Sequence, residues 1–169
     1  PGDAGSLENM TTVNGEEWII KFPAHVDGEN AGKMEYDYSC CAKKCGIIMS
    51  ETRLFPSENC EGYFGIKRFD RISDKNGTKR IHMLTAAALL ELNFEQPSLD
   101  YHSLMKLTKI LTRDNEKDMR EMFRRMCFNV FAHNRDDHSK NFTYLYDDEK
   151  DRWSLSPAYD LTYSNTYYG

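Results

Sequence analysis

The hydrophobic period of the chain changes part-way along, and that change limits the folds open to it. Up to about residue 70 the apolar residues come in short runs of strand length, at 18–22, 47–49, 52–55 and 63–69. One helix is expected among them, over 34–45, stopped by Gly46. Further on, apolar residues recur at helical spacing: Tyr101, Leu104, Leu107 and Leu111, then Met119, Met122, Phe123, Met126 and Val130. Helices follow over about 100–111, capped by Ser98 or Asp100, and over 116–131, after a short one capped by Thr85 and reaching Leu92. On the last of them the apolar stripe reads as core, and the face with Arg120, Glu121, Arg124 and Arg125 as solvated. Strand patterning returns at 142–146 and 153–155, a hairpin around Asp147-Asp148-Glu149. Residues 1–17 are polar and without period, and 74–78 read as a turn. The order implies an α+β chain: a strand-rich lobe over 1–72, a helical lobe over 73–169, and a cleft between them.

Composition removes several classes of function. A chain of 169 residues with 40% hydrophobic content can bury roughly two-thirds of its unfolded surface. Its net charge of −5 argues against direct, non-specific binding to nucleic acid, which depends on neutralising phosphates. No apolar run approaches the roughly 18–20 residues that span a bilayer, and no signal-peptide pattern opens the chain, so neither a membrane nor secretion is expected. Cys40, Cys41, Cys45, Cys60 and Cys127 are odd in number and form no paired CxxC motifs. Reduced thiols in a cytoplasmic protein are the expectation. The start at Pro1 and the end at Tyr167-Tyr168-Gly169 read as cuts in a longer chain.

The residues with chemical capacity gather after the last predicted helix, 116–131. His133, Asn134, Asp136, Asp137, His138, Lys140 and Asn141 lie within about ten residues, in a loop following a rigid element. Phosphoryl transfer from ATP calls for an Asp to accept the substrate hydroxyl proton and an Asn five residues on to hold magnesium, as in H-R-D-x-x-x-x-N. The chain reads Asn134-Arg135-Asp136, then Asn141, with Asn in the place of His. A second magnesium ligand should follow a short hairpin, and Asp160 stands 19 residues after Asn141, in Ser156-Pro157-Ala158-Tyr159-Asp160-Leu161. Magnesium is hard and takes carboxylate and amide oxygens, one each from Asn141 and Asp160. Lys140 could neutralise the transferring phosphate, and His138 could orient the loop. Upstream, Ile19-Ile20-Lys21 has the form of a strand lysine facing α- and β-phosphates, and Glu35, on the following helix, could hold it.

With these motifs the chain resembles HipA-type kinases, the toxins of bacterial toxin–antitoxin pairs. Asp136-Asp137-His138-Ser139-Lys140-Asn141-Phe142 is similar to their D-x-H-x-K-N loop, and 155–161 to their L-[ST]-P-x-Y-D-[LV] motif. Ile20-Lys21-Phe22-Pro23 is similar to an I-x-K-[FL]-P strand, and Lys67-Arg68-Phe69-Asp70-Arg71 to an E-R-[FY]-D-R hinge. The resemblance implies a two-lobed protein-kinase-like fold and ATP- and magnesium-dependent transfer to a protein Ser or Thr. It implies Asp136 as catalytic base, His138, Ser139, Lys140 and Asn141 along the phosphates, and Asn141 and Asp160 on magnesium. Lys21 contacts phosphates, Lys67, Arg68 and Phe69 offer backbone to adenine, Asp70 faces the ribose, and Tyr159 belongs to the nucleotide site. A DNA-binding antitoxin is the partner it suggests. Two positions depart: Lys67 replaces the hinge Glu, and Pro1-Gly2-Asp3-Ala4-Gly5-Ser6 stands where the family has a G-G-x-x-P-K loop. Another class of reading is a nucleotide-binding or catalytically inactive interaction module. A transition-metal hydrolase built on His133, Asp136, Asp137 and His138 is a third, although His25, His82 and His102 have no matching context.

Overall fold

The computed structural model describes residues 7–22, 30–74, 77–90, 100–134 and 139–163. β1 (Leu7–Val13) and β2 (Glu16–Phe22) form an antiparallel hairpin. Asn14 and Gly15 turn it with φ of 52° and 81°, the doubly positive φ of a type I′ turn. The expectation of aperiodic sequence over 1–17 is therefore corrected. β1 is a mostly exposed edge strand, so it carries no apolar alternation to read. β3 (Thr52–Phe55) and β4 (Tyr63–Lys67) complete a four-stranded sheet in the order β1-β2-β4-β3. Trp18, fully buried on it, meets Phe55 edge-on at 5.9 Å. β4 ends at Lys67, not at 69, where the chain leaves the sheet.

α1 (Ala31–Lys44) packs on β3 and β4. Gly46, at φ 80°, ends it as expected: Ile47 N donates to Ala42 O and Gly46 N to Lys43 O, both at 3.0 Å, a Schellman motif. The run 47–49 is not a strand. Met49 makes a single parallel bridge to Ala158, and Ile47 is buried, so this run is apolar because it lies between packed elements.

The expected switch to helices after residue 73 also needs correction. β5 (Arg71–Asp74), β6 (Gly77–Arg80) and β7 (His82–Thr85) come first. β6 is exposed throughout, so these short strands bury too little apolar surface to show a period. α2 (Ala86–Leu89) follows, with Thr85 Oγ1 accepting from Ala88 N at 3.1 Å. α3 (Tyr101–Leu111) is capped by Asp100, which accepts from Ser103 N at 2.7 Å; Ser98 lies outside the described residues. α4 (Glu116–Phe131) has the expected bounds. β8 (Thr143–Asp147) and β9 (Arg152–Leu155) form the expected hairpin, and β7 joins it in the order β7-β8-β9.

Ala86, Leu104, Met122, Phe142, Tyr144 and Leu155 form the core of the helical part. Burial pushes the Tyr144 hydroxyl up to about 12, and Thr108 Oγ1 lies 2.8 Å from it. A second core joins Ala42 and Ile47 to Phe128, Ala158 and Leu161, tying α1 to α4 and to the segment after β9. The faces of α4 differ from expectation. Phe123 and Val130 are more than half exposed, while Glu121 and Arg125 are both 2% exposed. They pair, Arg125 Nε to Glu121 Oε1 at 3.0 Å, and hydrogen-bond to backbone, so each buried charge is compensated. No helix among the described residues is long and apolar enough to cross a membrane.

Candidate functional site

The site begins with the alternation of β2. Lys21 and Ile19 share a face, and Ile66 stands opposite Ile19 on β4. Lys21 Nζ reaches Glu35 Oε1 on α1 at 2.8 Å and also bonds to Asp160 Oδ1, from the segment after β9. Three separate parts of the chain therefore meet at one ammonium. Burial alone would pull Lys21 down, but the Glu35 and Asp160 carboxylates outweigh it and hold the amine well above the ordinary lysine value. Burial pushes the Glu35 carboxyl up, and Lys21 pulls it part-way back. Asp160 has φ 53°, in the left-handed region that aspartate enters more readily than most residues other than glycine.

A cleft of about 210 Å³ opens beside this cluster. Lys21, Lys67, Arg68, Phe69, Asp70, Tyr159 and Asp160 all line it, seven of the residues singled out from sequence. Sequence reasoning missed Ile19, Ile66, Met83, Thr85 and Thr143, which line it too. The two-residue alternation with Lys21 could have found Ile19; Met83, Thr85 and Thr143 depend on the pairing of β7 with β8 and had no local signal. A concavity of about 380 Å³ lies between the β5–β6 hairpin and the β8–β9 turn, but none of those seven residues reaches it.

Behind the cleft Tyr159 joins its two sides. Its ring is tilted against Phe69 at 5.7 Å, its hydroxyl donates to Lys140 O at 2.8 Å, and Thr143 Oγ1 lies 2.5 Å from that hydroxyl. Burial pushes the Tyr159 hydroxyl up to about 12. Ser139–Asn141 form one 3₁₀ turn, with Ser139 buried. Asn141 and Asp160 line one small cavity of about 10 Å³, which offers amide and carboxylate oxygens, the hard donors that magnesium takes. These are two donors of the type magnesium takes, and Arg125 lines the same cavity; among the described residues no group of three or more His, Cys, Asp or Glu side chains gathers to hold a metal. Asp136, Asp137 and His138 lie outside the described residues. Asn134, just before them, is buried, donating from its backbone N to Asn129 O and from Nδ2 to Asn129 Oδ1, each at 3.0 Å.

At the hinge the amides of Lys67 and Arg68 donate to Glu51 O and Glu17 O, both at 2.9 Å. The Lys67 ammonium pairs with Glu16. Asp70 is 5% exposed and held by Arg68 Nε at 2.9 Å, Arg68 Nη2 at 2.7 Å and Arg71 Nη1 at 2.5 Å. Burial would raise its carboxyl, but the Arg68 and Arg71 guanidinium groups outweigh that and hold it below the usual range. A depressed carboxyl contributes stability that is fully present above its unfolded value, about 3.9, and is lost as pH falls through its folded one. Asp70→Asn should therefore lower the melting temperature at neutral pH, and the gap from the parent should narrow below about pH 4. Melting curves over that range check it; a gap that stays constant into acid contradicts it.

Comparisons with known proteins give the chain a family and a fold. The family model described as HipA-like C-terminal domain matches residues 5–169. The chain belongs to that family. A protein of Sinorhizobium fredii (strain NBRC 101917 / NGR234) named "Putative kinase Y4dM" is 26% identical over 169 residues, covering 93% of this chain and 40% of that protein. HipA of Shewanella oneidensis MR-1, solved as a toxin–antitoxin complex with HipB and operator DNA, superimposes with a TM-score of 0.80 at 16% identity, over 95% of this chain and 43% of the HipA chain. The Helicobacter pylori proinflammatory kinase CtkA gives a TM-score of 0.69 at 15% identity, over 91% of this chain and 54% of that one. The fold is thus the α+β, kinase-like fold of these proteins. The chain spans about two-fifths of the curated relative's length.

Proposed function

We propose that this chain forms the nucleotide-binding and phosphotransfer region of an ATP- and magnesium-dependent protein Ser/Thr kinase of the HipA type. The observation that carries this reading is the convergence of Lys21, Glu35 and Asp160 at the edge of the cleft. In it, residues 1–72 form the nucleotide lobe and 73–169 the catalytic lobe. Lys21, steered by Glu35, contacts the phosphates, and Asp160 and Asn141 would hold magnesium. Bound magnesium neutralises the phosphate charge that develops during transfer. Asp136 accepts the hydroxyl proton of the protein substrate, while His138, Ser139 and Lys140 line the phosphates. Ile19, Ile66, Phe69 and Tyr159 wall the base. The amides of Lys67 and Arg68 donate to Glu51 O and Glu17 O, so adenine would use the hinge carbonyls or the amide of Phe69. Asp70 faces the ribose from the cleft wall, with Arg68 and Arg71 holding its carboxylate in place. A DNA-binding antitoxin is the proposed partner, by analogy with the Shewanella complex.

Calorimetry should give magnesium-dependent ATP binding that Asp160→Ala removes. Asp136→Asn should spare binding and lower transfer to a protein acceptor by at least roughly 10²-fold, the lower end of general-base contributions. Absence of nucleotide binding by the parent would sink this reading. Asn134 in the place of the pattern's His favours a second reading, an inactive nucleotide-binding module. Binding with no transfer by the intact protein would select it.

A further inference from the structure

The buried polar face of α4 touches the segments on which the site depends. Asp118, Glu121, Arg125 and Asn129 recur at helical spacing, and none is more than 7% exposed. Asp118 Oδ1 accepts from Leu155 N at 3.1 Å, and Arg125 Nη2 donates to Ser156 O at 2.5 Å. Glu121 Oε1 accepts from Ile48 N at 2.9 Å and from Arg125 Nε at 3.0 Å. Ile48 O accepts in turn from Ala158 N at 2.8 Å. A closed ring of hydrogen bonds results. It runs from the connector between α1 and β3, through Glu121 and Arg125, to Ser156, and back through Ala158. Asp160 lies two residues beyond Ala158, at φ 53°.

Packing alone does not call for this pair, since well-packed apolar residues commonly replace a buried ion pair without loss of stability. Directional bonds do what apolar contacts cannot: they set which backbone atom stands where. We propose that Glu121 and Arg125 are positioning residues that fix the register of residues 156–160 against the α1–β3 connector, and so place the Asp160 carboxylate relative to Lys21 and Glu35. The link to metal binding rests on the kinase reading above; the positioning does not. Glu121 and Arg125 tie the segment after β9 to the chain that leaves α1, the helix of Glu35. Both carboxylates that meet at Lys21 are thus referred to one support.

Two variants of the intact protein test this. Arg125→Lys keeps the charge but loses the planar fork that reaches Glu121 and Ser156 together. Glu121→Leu with Arg125→Met removes the pair without leaving an unpaired buried charge. Amide hydrogen exchange is followed at 47–49 and 156–161, and ATP affinity is measured with magnesium and in EDTA. In both variants exchange should rise at both segments together. The magnesium-dependent gain in affinity should fall roughly tenfold or more, the usual effect of loosening a residue that orients a metal ligand. Affinity in EDTA should stay near the parent's, and the melting temperature of the pair replacement should fall by only a few degrees, about what the two backbone groups it leaves without partners, Ile48 N and Ser156 O, would cost. Unchanged exchange at either segment in the pair replacement overturns the proposal. So does a rise spread over the whole chain with a matching drop in melting temperature. A parent without magnesium-dependent binding removes the kinase reading alone, because the exchange comparison still decides the positioning.

Discussion

Lys21→Met should lower phosphoryl transfer by roughly 10²–10³-fold, the scale seen when one preorganised electrostatic donor is removed. It should also lower stability. The Lys21 ammonium is the shared partner of Glu35 and Asp160, so methionine leaves two carboxylates facing each other. Breaking a fully buried pair costs on the order of 3–5 kcal/mol. The cost here is smaller, because the Lys21 and Glu35 side chains keep 18% and 12% of their exposure, and water can relax around them. The two effects separate in a double variant. Adding Glu35→Gln to Lys21→Met should recover part of the lost melting temperature by removing an unpaired charge, with no recovery of nucleotide affinity. If the second substitution lowers the melting temperature further, the ammonium is not what the two carboxylates depend on.

Gly32→Ala should disturb the same cluster from the other side. A Cβ at Gly32 would lie 2.4 Å from Gly62 O and 3.0 Å from Phe64 N. Both atoms are backbone and cannot turn aside as a flexible side chain does, so α1 must back away from β4. Forced overpacking of this kind costs about 1–3 kcal/mol, which for a chain of this size lowers the melting temperature by about 2–4 °C per kcal/mol. Glu35 stands less than one turn further along α1, within 2.8 Å of Lys21. Nucleotide affinity should fall with stability, and a crystal structure of the variant should show that contact lengthened. Unaltered affinity and melting temperature would show that the helix start yields without cost.

The elements best anticipated from sequence are those with a local cause. α4 has its expected bounds because an Asn cap and a long polar–apolar repeat are both local. Thr52–Phe55 and the β8–β9 hairpin were legible for the same reason. β1, β5, β6 and β7 were not, since strands paired mainly at exposed edges bury too little apolar surface to produce a period. The Asn14-Gly15 turn was a usable cue, and pairing it with the polar residues on either side would have found β1. Glu121 and Arg125 ran against expectation for another reason. A charge on a helix reads as solvated unless its partners are known, and Ile48 and Ser156 come from distant parts of the chain.

The sequence by itself determined the residue types available for chemistry and their order: Lys21, Glu35, then Asn141 and Asp160 after the third long helix. It also carried the motifs by which the family was recognised, because spacing within a loop or strand survives without knowledge of the fold. Only the tertiary structure decided that Lys21, Glu35 and Asp160 meet, that Met83, Thr85 and Thr143 line the cleft, and that α4 turns charges inward. Each of these depends on contacts between residues far apart in sequence. Burial and pairing energies act on such contacts only once the chain has folded, and no local pattern records them.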